Sequence, residues 1–287
     1  MDGIVIVDKP QDWTSQDVTA RLRRVFNTRR IGHGGTLDPM ATGVLPVFVG
    51  RATRGVEFFE HAEKTYETVL RLGLTTDTED ITGTMLTEAP VSVIDEQIEA
   101  ALAAFRGQIM QIPPMYSALK VNGQKLCDLA RKGKTVERQP RPITIHELTL
   151  LERTENTLRL RVRCSKGTYI RTLCKDIGEQ LGCGGCMESL RRVSAGEYTI
   201  DEAVPLQELR DTGEPEKYLR GVDTMFRSYP AVTLTANQET RCRNGNPFSV
   251  KLAEGSYRAY SQTGEFLMLA KVEAGVMTTV KSFFAVP

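Results

Sequence analysis

The sequence predicts an α+β fold, and three patterns along its 287 residues carry that prediction. The run "TLRLRVRC" at 157–164 alternates apolar and polar residues, as a half-buried strand does. In "TYIRTLCKDIGEQLG" at 168–182 the apolar residues recur at helical spacing instead. From about Tyr229 the chain shows short runs separated by turn signals such as "CRNGNP", which predicts a small all-β module.

The N-terminal elements follow from local signals. "GIVIVDKP" at 3–10 predicts a buried strand that is stopped by Pro10. A helix is predicted over 14–26, because Thr14 and Asp17 have capping-box spacing ahead of an apolar stripe.

Three further elements are predicted before the middle of the chain. "GVLPVFVG" at 43–50 is an apolar segment, and "TYETVLRLG" at 65–73 is typical of a strand. "SVIDEQIEAALAAFRG" at 92–107 predicts a helix with Ser92 and Asp95 at its start and a glycine just past its end.

The segment at 113–141 differs from its surroundings. It is basic, contains proline and glycine, and has only a short helical piece around 125–131. Residues alone leave two interpretations open, a surface insertion or a binding arm.

The composition is that of an ordinary globular protein, with 40% hydrophobic and 25% charged residues. No apolar run approaches the roughly 18 residues that a membrane span needs, and the N-terminus lacks the basic start of a secretory signal. The six cysteines show no disulfide-framework spacing. These observations predict a cytoplasmic protein with no membrane association and with reduced thiols.

The net charge of +1 conceals three basic segments, at 21–54, 106–141 and 161–192. The first contains seven arginines and a single acid, Asp38. Such segments are compatible with solvated surface, but three of them together favour a polyanionic partner such as nucleic acid.

Several common chemistries do not fit the sequence. The glycine run at 32–37 fails the G-x-G-x-x-G fingerprint because Leu37 takes the last glycine position, and no lysine follows in Walker spacing. The C-x-x-C of Cys183 and Cys186 lacks the second ligand pair of a structural zinc site. Small residues in a tight turn are the preferred interpretation of these two cysteines.

Asp38 stands alone among glycines and small residues in "GHGGTLDPMATGVLPV" at 32–47. Because Asp-Pro commonly opens turns, a structural role is one interpretation. Covalent or acid–base work would need a cationic partner, usually arginine, and spacing does not identify which one.

The same stretch closely resembles the catalytic signature of the TruB family of tRNA pseudouridine synthases. Four further blocks agree with that family in order: "DKP" at 8–10, "KTYETVLRLGLTTDTED" at 64–80, "IPPMYSALKVNGQKLCDLARKG" at 112–133, and finally "CSKGTYIRTLCKDIGEQLG" with "LRRVSAGEY" up to residue 198. The resemblance spans roughly residues 3–200. One departure is Cys127, where the family usually has an aromatic residue.

The resemblance implies an isomerase that converts the T-loop uridine (position 55 of tRNA) to pseudouridine without metal or cofactor. Asp38 would be the nucleophile, and Arg171 would pair with it. The other implied site residues are Tyr66, stacking on the uracil and a candidate for proton removal; Tyr169 and Leu190, lining the pocket; His33, filling the space of the flipped nucleotide; and Asp80, assisting loop binding.

The resemblance also implies the pseudouridine synthase fold, with a mixed, largely antiparallel sheet. Residues 1–228 would form the catalytic domain, with 113–141 as an RNA-binding arm, and 229–287 a small PUA-like RNA-binding module. The expected partner is the tRNA T-arm, with no guide RNA and a monomeric enzyme. A tRNA-elbow-binding folding chaperone with secondary or lost catalysis is the alternative.

Overall fold

The computed structural model describes residues 1–121 and 123–285, in which two large sheets are surrounded by short helices. In chain order the strands are β1 (Gly3–Lys9), β2 (Ile31–His33), β3 (Thr42–Val49), β4 (Lys64–Leu72), β5 (Leu74–Thr76), β6 (Met85–Glu88), β7 (Gly107–Gln111), β8 (Lys120–Val121), β9 (Gln124–Lys125), β10 (Arg141–Arg153), β11 (Thr157–Cys164), β12 (Gly185–Ala195), β13 (Tyr198–Thr199), β14 (Val204–Pro205), β15 (Ala231–Thr233), β16 (Phe248–Ser249), β17 (Gly255–Tyr260), β18 (Phe266–Glu273) and β19 (Val276–Ser282).

The α-helices are α1 (Ser15–Val25), α2 (Val56–Phe59), α3 (Asp95–Ala104), α4 (Leu126–Ala130), α5 (Ile170–Gln180), α6 (Leu206–Asp211) and α7 (Ala236–Arg243). Short 3₁₀ helices cover Gly50–Gly55, Ile200–Glu202, Pro215–Tyr218 and Val222–Phe226.

The larger sheet has the strand order β14-β1-β3-β12-β4-β11-β10-β7, with β2 added to β3 and β13 added to β12. Only the β1–β14 and β3–β12 pairs of this sheet are parallel. The prediction of an α+β fold with a mixed, largely antiparallel sheet is confirmed. Its main core joins the apolar faces of β4, β11 and β12 to α1, α3 and α5.

Local signals placed the helices α1 and α3 well. Thr14 is the N-cap of α1, and its hydroxyl accepts from the Asp17 backbone N–H while the Asp17 carboxylate accepts from the Thr14 N–H. Helix α3 begins at Asp95 as expected, but its N-cap is Ile94 and not Ser92. The Gln97 side chain accepts from the Ile94 N–H, so Gln97 supplies the cap at this end.

Strand β11 alternates as predicted, with its leucine and valine side chains buried and its arginines exposed. These arginines do not form a free basic face. Arg159 and Arg161 pair with Glu67 of the neighbouring β4 at 2.7 and 3.5 Å, and Arg163 pairs with Glu63 at 2.8 Å. Arg161 and Arg163, two of the seven cations of the third basic segment, are therefore neutralised across the sheet.

The segment 113–141, called the arm below, contains the small β8–β9 hairpin and α4. The helix lies within the short helical piece expected at 125–131. The buried side chains of Leu126 and Leu129 anchor α4 to the protein. Most of the basic residues of the arm are exposed.

The C-terminal sheet has the order β15-β17-β18-β19-β16 and its own apolar core. The prediction of an all-β module is wrong in one respect, because α7 lies between β15 and β16. Cys242 is the buried residue of α7, so the helix has no apolar stripe from which periodicity could predict it. Phe226 connects this sheet to the main body, with its ring 6.1 Å from Phe283 and 5.5 Å from Phe58.

Within the described ranges, no helix has the length and apolar character needed to cross a membrane. All six cysteines are free thiols. Cys183 lies in the turn after α5, as the tight-turn interpretation requires, but Cys186 is a buried residue of strand β12. The turn interpretation is therefore correct for only one of the two.

Candidate active site

A cleft of about 840 Å³ lies between the Asp38 loop, one face of β4 and β12, the start of α5 and the arm. Six of the seven side chains that sequence reasoning selected line it: Asp38, Tyr66, Asp80, Tyr169, Arg171 and Leu190. The arm contributes Tyr116 and Cys127 to the same lining. These residues are spread over more than 150 positions, and the sheet brings them together.

The loop that carries Asp38 is held from behind. The buried Ser15 hydroxyl accepts from the Leu37 N–H at 2.9 Å and donates to the Leu37 carbonyl at 3.2 Å. The Lys9 ammonium donates to the Pro39 carbonyl at 3.1 Å. Because both neighbours of Asp38 are fixed, its carboxylate is presented to the cleft with 35% of the side chain exposed.

Arg171 is the centre of the polar contacts around Asp38. Its Nε lies 2.9 Å from Asp38 Oδ2, and its Nη1 lies 3.8 Å from Asp80 Oδ2. The same guanidinium donates to the Thr78 carbonyl at 3.1 Å and to the Tyr116 carbonyl at 2.8 Å. With 7% of its side chain exposed, Arg171 is fixed by four partners from three separate loops.

Asp80 is buried, and its Oδ1 atom accepts three hydrogen bonds within its own loop. Oδ1 accepts from the Thr78 hydroxyl, the Thr82 hydroxyl and the Thr82 N–H, at 2.9, 2.6 and 3.0 Å. The remaining oxygen faces Arg171. Asp80 thus contacts the guanidinium that holds Asp38.

Tyr66 and Leu190 lie on the face of the sheet that borders the cleft. Tyr66 of β4 is paired in register with Arg192 of β12, and Leu190 with Thr68. Burial raises the pKa of the Tyr66 phenol, while the nearby Arg192 acts in the opposite direction. Tyr66 is only 9% exposed, and it lines the cleft.

Tyr169 is the residue before α5 and its backbone is clamped by a buried glutamine. Its N–H donates to Gln111 Oε1 at 2.9 Å, and its carbonyl accepts from Gln111 Nε2 at 3.1 Å. Burial raises the pKa of the Tyr169 phenol. The clamp fixes the start of α5, and therefore also the adjacent Arg171.

His33 is the one selected residue that does not line the cleft. It ends β2, where its Nε2 lies 3.5 Å from Gln16 Nε2 of α1. Its Nδ1 is buried and has no hydrogen-bond partner among the described residues. Burial lowers the pKa of His33, and the charge of Arg192 acts in the same direction, so both favour the neutral imidazole.

Two family models match the sequence of this chain. The model of the N-terminal domain of TruB family pseudouridylate synthases matches residues 23–170, just over half of the chain. The chain belongs to the TruB family. A second model, the C-terminal domain of tRNA pseudouridylate synthase B, matches residues 171–223.

Individual TruB family relatives are similar over most of the chain. The tRNA pseudouridine synthase B of Ralstonia pickettii (strain 12J) is 47% identical over 257 residues, which are 88% of this chain and 81% of that protein. The tRNA pseudouridine synthase B of Escherichia coli (strain K12) is 39% identical over 288 residues, covering 95% of this chain and 92% of that protein.

Two solved structures share the fold over 99% of this TruB family chain. One is a chain of an H/ACA RNP bound to a substrate RNA containing 2'-deoxyuridine, with a TM-score of 0.75, 22% identity and 86% of that chain covered. The other belongs to a Cbf5-Nop10-Gar1 complex, with a TM-score of 0.75, 24% identity and 85% covered. At these identities the likeness establishes the fold alone.

Sequence reasoning missed several polar groups at or behind the TruB family site. Lys64 and Arg192 line the cleft, although each belongs to a block that was recognised. Lys9 is fully buried and donates to three carbonyls, those of Trp13, Pro10 and Pro39. A signal for Lys64 was available, since it precedes Tyr66 by two residues and must share its face of the strand.

Proposed function

We propose that this chain is a tRNA pseudouridine synthase that isomerises the T-loop uridine (position 55), with Asp38 as nucleophile. The observation that carries the proposal is the Asp38–Arg171 ion pair, set in a cleft beside the ring of Tyr66. The tRNA pseudouridine synthases B that resemble the chain at 39–47% identity support a pseudouridine synthase that acts on tRNA.

The proposed reaction begins when the target uridine leaves its stack and enters the cleft. Asp38 then breaks the bond between C1′ and N1, either by attacking C1′ or by removing the C2′ proton to leave a glycal. The freed uracil turns over and C5 bonds to C1′, which releases Asp38 from C1′ or, in the glycal route, returns the proton to C2′. The C5 proton then departs and N1 takes up a proton. One bond is exchanged for another at the same oxidation level, so the isomerisation requires no redox cofactor.

A single carboxylate suffices for this chemistry. Uracil never leaves the cleft, so no second acid is needed to release a leaving group to water. Arg171 holds the Asp38 carboxylate in position and is itself fixed by two carbonyls and Asp80. An orientation set before the substrate arrives lowers the cost of reaching the reactive geometry.

The remaining selected residues are assigned to binding. Tyr66 stacks on the uracil, and Tyr169 with Leu190 encloses it. Asp80 assists binding of the RNA loop. We place His33 at the rim, where a neutral imidazole on β2 can occupy the gap left in the RNA loop by the flipped nucleotide.

The rest of the chain is proposed to hold the tRNA T-arm. Residues 1–228 would form the catalytic domain, the arm at 113–141 would close over the RNA, and 229–287 would form a PUA-like RNA-binding module. We propose a monomer that acts without guide RNA in the cytoplasm, where its substrate is found. Exposed basic residues of the arm support RNA binding through phosphate contacts.

Tritium release from a tRNA transcript labelled with [5-³H]uridine tests the proposal, because only bond formation at C5 expels that tritium. Wild type should release tritium from the T-loop uridine alone, and Asp38→Asn should bind the transcript but release none. Tight binding by wild type without any release would favour the folding-chaperone alternative. Release by Asp38→Asn at the wild-type rate would exclude Asp38 as the nucleophile.

A further inference from the structure

Two buried cations, Arg192 and Lys64, line the cleft. Arg192 is 1% exposed and Lys64 is 8% exposed. Arg192 donates to the carbonyls of Val44 and Gly35 at 2.7 and 3.2 Å, and Lys64 to that of Ala62 at 2.7 Å. In the described part of the chain, neither cation forms an ion pair, whereas Arg171 in the same cleft has two carboxylates nearby.

The two cations converge on one point of the cleft wall. Lys64 lies two residues before Tyr66 on β4, and Arg192 faces Tyr66 across the β4–β12 pairing, so all three share one face of the sheet. A Cβ atom built on Gly35 would lie 3.5 Å from Arg192 Nη1 and 3.8 Å from Lys64 Cε. Gly35, with φ of +111°, leaves space next to both groups, three residues before Asp38.

This arrangement is unfavourable without an anion. Burial disfavours an unpaired cation, and two neighbouring cations repel each other. Burial, and next the charge of Arg192, lowers the pKa of Lys64 to about 8. A ligand with negative charge between the two groups would offset both costs, and the partner of this cleft under the proposed function is a polyanion.

We infer that Arg192 and Lys64 form an anion-binding subsite for one of the two phosphodiesters that flank the flipped nucleotide. The inference rests on the proposed function, since it assumes that a nucleotide enters this cleft. The phosphate accepts from the guanidinium and the ammonium, and it anchors the sugar next to Asp38. Charge-assisted contacts of this kind are the stronger class of hydrogen bond.

The test is a double-mutant cycle that removes the charge of one RNA phosphate and the charge of Lys64, separately and together, and measures RNA affinity. Stem-loop RNAs with the sequence of a T-arm are made with one methylphosphonate, which is neutral, either 5′ or 3′ of the target uridine. Their dissociation constants are measured with Asp38→Asn, which prevents turnover, and with Asp38→Asn/Lys64→Met. Wild type and Lys64→Met are compared in parallel by the RNA concentration that half-saturates tritium release.

We expect one of the two methylphosphonates to weaken binding roughly tenfold or more when Lys64 is present. Lys64→Met should weaken binding of the unmodified RNA to a similar degree, and the neutral linkage should then cost little more. The slope of log affinity against log salt should also fall by about 1. Lys175→Met is the matched control, because Lys175 is a half-exposed lysine paired with Asp176 and Glu179 outside the cleft lining.

The outcomes separate the subsite from the proposed function. If neither neutral linkage weakens binding to the protein that retains Lys64, the subsite is wrong, and this result needs no variant at Lys64 that must fold. If the methylphosphonate lowers the affinity of Asp38→Asn and of Asp38→Asn/Lys64→Met by the same factor, Lys64 does not contact that phosphate. The inference is then also overturned. If the subsite is overturned but wild type still releases tritium normally, the proposed function stands. If wild type releases no tritium, both the proposed function and the subsite inference are overturned.

Discussion

Gln111 and Tyr169 exchange two hydrogen bonds, from the Tyr169 N–H to Gln111 Oε1 at 2.9 Å and from Gln111 Nε2 to the Tyr169 carbonyl at 3.1 Å. Gln111 is the last residue of β7, just before the arm, and Tyr169 precedes α5. The Gln111 side chain, 2% exposed, thereby supplies the acceptor for the Tyr169 N–H, while the Tyr169 carbonyl also accepts from the Leu173 N–H of α5. It joins the base of the arm to the helix that carries Arg171.

Replacing Gln111 by leucine should destabilise the protein and impair the site. The Tyr169 N–H would lose its partner, at a cost of about 1–3 kcal/mol, whereas the Tyr169 carbonyl would still accept from the Leu173 N–H at 3.0 Å. Urea unfolding would measure this loss. Gln108→Leu on the same strand is the control, because Gln108 is exposed and should change stability by less than about 0.5 kcal/mol.

Arg171→Lys should lower the rate of isomerisation far more than it lowers stability or RNA affinity. Lysine keeps the positive charge but cannot reach Asp38, Asp80 and two carbonyls at once. We expect a single-turnover rate about 100-fold lower, which corresponds to about 2.7 kcal/mol in the barrier. Arg159→Lys, at an exposed pair with Glu67, should leave the rate unchanged. A rate within about twofold of wild type for Arg171→Lys would show that the reaction does not require the guanidinium to contact all four partners at once.

The pH dependence of stability should change at Asp176. Burial, opposed by Lys175, raises the pKa of this carboxyl to about 6 from an ordinary value of 3.8. Its folded pKa is higher than its unfolded pKa, so ionising it costs stability as the pH rises from about 4 to 6. Asp176→Asn should therefore gain about 1–2 kcal/mol relative to wild type between pH 4 and pH 7, less than the full pKa difference implies because the side chain is partly exposed and screened by solvent.

Denaturant unfolding at several pH values checks the Asp176 prediction. The exposed Asp128→Asn serves as the comparison, and its stability difference from wild type should stay nearly constant over the same range. A pH-independent difference at Asp176 would mean that Lys175 and the surrounding solvent compensate for its burial.

RNA affinity should depend on the arginines of α1 and not on those of β11. Arg21 and Arg24 form no ion pair with any carboxylate of the described residues, while Arg159 and Arg161 pair with Glu67. Replacing Arg21 and Arg24 by glutamine should weaken tRNA binding and reduce the salt slope by about 2. Arg159→Gln/Arg161→Gln removes the same charge and should reduce the slope by much less. Equal effects of the two double variants would show that binding follows total charge alone.

Some structural features followed directly from the sequence, because their cause lies within a few residues. The capping box of Thr14 and Asp17 was visible as spacing, and it begins α1 in the structure. The alternation of β11 predicted which side chains are buried. Helix α7 was not predicted, because a helix that buries little apolar surface has no periodic pattern of apolar residues in its sequence.

The candidate site was predicted from family resemblance more than from physics. Spacing did not show which arginine meets Asp38, and the structure places Arg171 against it from 133 residues away. The structure also placed His33 outside the cleft and brought Lys64 and Arg192 into it.

The sequence by itself determined several of the main strands and helices, though not α2 or α7, as well as the α+β class and the motif that contains Asp38. Only the tertiary structure decided which charges are paired, since Glu67 neutralises Arg159 and Arg161, while Lys64 and Arg192 form no ion pair with any carboxylate of the described residues. The reason is physical: local patterns set which face of a strand or helix is buried, but the register and order of strands set what lies opposite. Register depends on packing between elements that are distant in the chain, and that information is absent from spacing along it.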